Sequence, residues 1–164
     1  MSLTLPVARS EFISAMSRDT VVPERPRLLA VLDALIAWSV ARPTMLKFHA
    51  DEGHPGVVSF ERVGSKAIFW SASARRGDCP KLELLPRASR ALTPEERANA
   101  TIALNAHSRE ELAVGDPLRI GFGALKNEAG RTAVLALMEQ LLSATGPVAP
   151  PSRAERDRTP VATA

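Results

Sequence analysis

Two imidazoles and two carboxylates crowd into His49-Ala50-Asp51-Glu52-Gly53-His54, a set of nitrogen and oxygen donors that a divalent ion such as zinc accepts. On this reading His49, Asp51 and His54 are the ligands. A complete site needs a further donor from elsewhere in the chain, and His107 is the remaining histidine. The competing reading is a polar turn with exposed histidines. Cys79 is the second reactive candidate, the single cysteine, following Arg75, Arg76, Gly77 and Asp78. A thiol-dependent enzyme also requires a base near the nucleophile, and the sequence sets no histidine beside it.

Two partial motifs lie nearby. Asp78, Lys81 and Glu83 invite comparison with metal-dependent nucleases, but Leu85 stands where the charge-stabilising lysine belongs, so the set lacks a working member. Gly121-Phe122-Gly123-Ala124-Leu125-Lys126 connects a predicted strand to a predicted helix and resembles the opening of a dinucleotide-binding turn, with Lys126 in place of the third glycine. What survives of that motif is an anion at the start of a helix, held by Gly123, Lys126 and Arg131. No serine sits in a G-x-S-x-G setting, so a hydrolase elbow is not indicated.

Charge supplies the remaining signal. Between residues 61 and 90, Arg62, Lys66, Arg75, Arg76, Lys81, Arg87 and Arg90 outnumber Glu61, Asp78 and Glu83. Loops gathered at one end of a sheet would turn these cations into a basic patch for phosphates or an acidic protein surface. Trp70, with Phe69 beside it, is the aromatic expected at its margin.

The elements that must position these residues follow from periodicity. Val57 to Val63 alternates as a strand does, Gly64-Ser65 makes a turn, and Lys66 to Ser71 places Ile68, Phe69 and Trp70 in succession, predicting a central strand covered on both faces. Ser73 to Pro80 reads as a loop. Lys81 to Leu85 forms the next strand, stopped by Pro86. Met45 to Ala50 precedes these as a strand, DEGHPG is a turn, and Pro117 to Phe122 is a further strand. Helical spacing predicts a long helix from Pro26 to the approach of Pro43, and another over Arg131 to Ser143 stopped by Gly146. Thr93-Pro94-Glu95-Glu96 is a helix start, and that helix is expected to bury Ile102 with Ala98 and Leu104. Ser108 to Gly115 is expected to open with one further short turn of helix.

These elements predict an α+β fold: two layers, a mostly antiparallel sheet of about five strands, and two to three helices packed on one face. Residues 25–146 form the single domain. Residues 1–24 are an N-terminal arm with a short helix around Ser10 to Ser17, and residues 147–164 are a Pro- and Arg-rich tail with too few large apolar residues to order itself.

The chain of 164 residues, 45% apolar, is long enough for a sizeable core. No apolar run reaches the roughly 20 residues of a membrane helix, and no secretory leader or disulfide pair is visible, so the expected compartment is the cytoplasm with no membrane partner. A net charge of +3 permits nucleic-acid binding without requiring it. The leading expectation is a small non-enzymatic binding or accessory domain, without a cofactor, that meets a protein partner or nucleic acid through a basic loop or sheet face. The rivals are a metal- or thiol-dependent enzyme and a self-associating module, with a homodimer as its simplest form.

Overall fold

The computed structural model describes residues 2–17, 22–74, 79–86 and 92–145. Helix α1 (Leu5–Ser17), a 3-10 turn (Val22–Glu24) and helix α2 (Arg25–Val40) lead into strands β1 (Leu46–His49), β2 (Val57–Arg62), β3 (Ile68–Ser73) and β4 (Lys81–Leu84). Helix α3 (Pro94–Asn105) then precedes β5 (Leu118–Gly121), the single turn α4 (Phe122–Leu125) and helix α5 (Glu128–Ala144). The five strands form one sheet in the order β1-β2-β3-β4-β5, every neighbouring pair antiparallel. Strands β1 to β4 form the antiparallel meander that consecutive strands with short turns predict, and β5, whose place the sequence leaves open because a helix precedes it, joins β4; the described residues hold five α-helices where two to three were expected.

Register explains the layering. Antiparallel partners share a face, so Phe48, Phe60, Trp70, Leu84 and Leu118 make one transverse row, and Val58, Ala72, Leu82 and Ile120 the next. All of them belong to the apolar core or pack against it, together with Phe12, Leu32, Leu35, Met138 and Leu141 from the helices. The opposite face is polar: His49, Ser59, Ser71, Glu83 and Arg119 run across all five strands.

Three expectations change here. The pairing shifts between Phe60 and Glu61, so that Phe60 opposes Trp70 while Glu61 opposes Ile68. Phe69 is the extra residue of this bulge. It is fully buried and stacks on Trp38 of α2 with ring centroids 6.0 Å apart. The run Ile68-Phe69-Trp70 therefore reflects a bulge that sends two consecutive aromatics inward, not a strand covered on both faces. Ile102 is exposed, because α3 turns Ala100, Thr101 and Leu104 inward. Residues Ser108 to Gly115 form a loop, not a helical turn.

Residues of the N-terminal arm belong to the same core. Ala8, Phe12 and Met16 are buried, and Phe12 stacks on Phe122 at 5.7 Å. Among helix starts, Thr93 behaves as its sequence predicts, accepting the Glu96 N–H at 3.1 Å with Pro94 opening α3. The predicted tail, residues 147–164, lies outside the described residues.

One close approach gives a prediction. A Cβ on Gly130 of α5 would stand 2.5 Å from the backbone oxygen of Ala124. Alanine is the better helix former by about 1 kcal/mol, yet Gly130→Ala is expected to lower stability by about 1–2 kcal/mol, since the two helices must part. A thermal melt reads the sign, and a raised Tm would refute the close packing of α4 on α5.

Candidate functional site

The predicted metal ligands separate into two pairs. His49 Nδ1 lies 3.3 Å from Glu61 Oε2 on the polar sheet face, where Lys47 also meets Glu61 at 3.3 Å. His54 Nδ1 instead meets Asp51 Oδ1 at 2.9 Å in the turn between β1 and β2. Among the described residues no three histidine, cysteine or acidic side chains converge as metal ligands. His49 and His54 diverge because strand alternation orients the first while the turn backbone orients the second.

The expected basic patch is divided as well. Trp70 is completely buried: its ring lies against Phe60 at 5.2 Å, and its Nε1 donates to Ser39 Oγ at 2.7 Å. It belongs to the core and offers no contact surface. Arg62 is also buried, on the core face of β2. It donates to the Leu142 carbonyl at 2.9 Å and to Thr145 Oγ1, closing the C-terminal end of α5, and its guanidinium stands 5.4 Å from the Phe69 ring centroid. Burial pushes its guanidinium below the ordinary arginine range. Lys66 is exposed at the β2-β3 turn, in a left-handed conformation with φ 58. Lys81 is half-buried on the polar face of β4. Arg75, Arg76, Arg87 and Arg90 lie outside the described residues.

The structure brings Lys81 together with Gly123 and Lys126, two residues of the predicted anion site. They line a cleft of about 500 Å³ beside β5, walled by the loop from Ser108 to Pro117, by α4, and by Cys79 before β4. Arg109 and Arg119 add two more cations, and Glu110 and Asp116 two carboxylates. Arg131 is not among the lining residues. A helix of one turn has few aligned peptide dipoles, so α4 contributes its glycine and lysine here without an anion-binding helix end.

The far wall is held from outside the cleft. Asn105, the last residue of α3, donates through Nδ2 to the Leu112 carbonyl at 2.8 Å and accepts the Leu112 N–H at 2.7 Å. The side chain thus imitates a strand pair and pins the loop. Asp116 Oδ2 accepts the Ala113 N–H at 2.8 Å, tightening the same loop. On the near side, Gly121 and Gly123 leave open space, since a Cβ built on either meets nothing within 4 Å.

Electrostatics distinguish the four cations. Arg119 pairs with Glu83 at 3.3 Å, and Lys126 is bonded to Glu24. The Lys126 ammonium holds the Glu24 carboxyl below its ordinary range. That contact contributes while Glu24 is ionised, above the ordinary carboxylate value, and is lost as the pH falls through the lowered one. Among the described residues Lys81 and Arg109 have no ion-pair partner. Cys79 is exposed at the cleft and no histidine lines it.

Sequence reading missed Arg109, Arg119, Glu110 and Asp116. The one available signal was alternation in Leu118-Arg119-Ile120, which turns Arg119 away from the core. Nothing local indicated that the loop of Arg109 meets β5, Lys126 and Cys79 at one cleft.

Fold and cleft define an α+β protein built on a five-stranded antiparallel meander with a charged cleft at one edge. Comparison with protein-family models, with curated proteins and with solved structures gave no match. No described helix is long and apolar enough to cross a membrane.

Proposed function

We propose that this chain is a small non-enzymatic binding domain and that it holds a protein partner through the cleft beside β5. The observation that carries this reading is the convergence of Lys81, Arg109, Arg119 and Lys126 on one concavity of about 500 Å³ at the edge of a sheet. Concave sites with a few placed polar groups are where ligands are held. Two of the cations have no ion-pair partner among the described residues, and Arg119 and Lys126 are held by Glu83 and Glu24. A protein is favoured over a nucleic acid because the described aromatic side chains lie in the core or pack against it, which leaves no stacking platform for bases.

The single cysteine on the cleft wall provides the readout. Polyglutamate is expected to slow the reaction of Cys79 with a thiol reagent, less so as salt rises. The double variant Lys81→Glu, Arg109→Glu should lose that protection at least tenfold while keeping its Tm within a few degrees, both side chains being peripheral. Protection that survives the double reversal, or a Cys79 rate indifferent to polyglutamate, would overturn the assignment of the cleft.

A further inference from the structure

We propose that the occupant of this cleft is an extended acidic peptide segment of a partner protein, added to β5 as a sixth strand; this rests on the cleft being the binding site. The inference comes from the backbone. Phe122 N–H donates to the Pro80 carbonyl at 2.8 Å, making Pro80 and Phe122 a bonded pair at the end of the β4-β5 ladder. Bonded pairs alternate with non-bonded ones in an antiparallel ladder. Leu118 and Ile120 therefore spend their backbone groups on Leu84 and Leu82, while Arg119 directs both N–H and C=O outward and Gly121 its N–H, the Gly121 carbonyl being taken by α4, which it caps. β5 is the last strand in the sheet order, and Arg119 and Gly121 both line the cleft. The Arg119 donor and acceptor, with the Gly121 donor two residues on, match another peptide backbone, the basis of strand addition.

Side chains select the sequence of that peptide. Residues of an added strand alternate between the two faces. Those on the polar face come beside Arg119 and near Lys81, and acidic residues suit them. Those on the other face meet Leu112 and Ala124, which are partly buried against the core, and aliphatic residues suit these. Strand β5 has only four residues, is preceded by Pro117 and carries Arg119. Short, charged, proline-flanked edges resist indiscriminate pairing, so the site selects a short acidic segment instead of any free strand.

The test uses the full chain and the peptide acetyl-Glu-Val-Glu-Val-Glu-amide, with Cys79 protection as the readout. A second peptide of the same sequence carries an N-methyl group at every residue's amide, so that neither of its edges can donate to β5. Gly121→Pro supplies the protein-side control: φ at Gly121 is −72, a value proline adopts, and the lost N–H is one that β4 does not use. The expected result is protection by the parent peptide, none by the N-methylated one, and at least tenfold weaker protection in Gly121→Pro at unchanged Tm. Equal protection by both peptides would overturn strand addition and leave the cleft assignment standing. Protection by neither peptide nor polyglutamate would overturn both. Protection by a dT12 oligonucleotide alone, or a concentration-dependent dimer lost in Gly121→Pro, would assign the edge to a nucleic acid or a second copy and overturn the peptide.

Discussion

Arg62→Ala is expected to destabilise the protein by about 2–4 kcal/mol, a large part of the about 5–15 kcal/mol that holds a domain of this size together. The side chain bonds the Leu142 carbonyl at 2.9 Å, a last-turn group that α5 cannot satisfy with its own backbone, and also Thr145 Oγ1. Truncation leaves these acceptors short of a donor and opens space beside Phe69, so a polar and a packing loss coincide. Arg62→Met retains most of the stem and should lose only about 1–3 kcal/mol. Urea denaturation with an unchanged slope measures both. A loss below about 1 kcal/mol in the alanine variant would show that α5 does not depend on this cation.

The second large effect is at Trp70. Trp70→Ala is expected to cost about 3–5 kcal/mol by cavity formation alone, since the ring is completely buried against Phe60. Its polar end is separable. Ser39 Oγ accepts the indole N–H at 2.7 Å and itself donates to the Leu35 carbonyl at 2.9 Å, so one hydroxyl joins β3 to the α2 backbone. Ser39→Ala leaves a buried N–H unpaired and should cost about 1–3 kcal/mol. Trp70→Phe keeps Ser39 bonded to Leu35, and fills most of the space. It should therefore cost less than Trp70→Ala by about 2 kcal/mol. Near-equal losses in Trp70→Ala and Trp70→Phe would place the energy in the hydrogen bond instead of the packing.

These two positions explain why part of the site was illegible. In sequence Arg62 and Trp70 sit among cations and turn formers, and the local surplus of charge reads as a surface. What makes Arg62 a core residue is the end of α5, about eighty residues away, where the Leu142 carbonyl takes its donor. Trp70 goes inward through alternation, which sequence can follow, but Phe69 follows it only because of a bulge at Phe60 and Glu61. The cleft has the same character. Its lining is drawn from residues 79–126, and in sequence Cys79, Lys81, and Gly123 with Lys126 belong to separate candidate features, a lone thiol, a basic run and an anion turn.

Periodicity, turn formers and caps are local quantities, and they were enough for the five strands, the three longer helices from α2 onward and the antiparallel meander of the first four strands, but not for the place of β5 in the sheet. A side chain's alternation or a threonine before a proline acts within a few residues, so the chain carries that information wherever it is read. Only the folded molecule decided which cations are buried and which residues meet at the cleft beside β5. Both depend on the carbonyls, rings and loops that distant segments deliver to the same place, and desolvation and hydrogen bonding act on that shared space without regard to order along the chain.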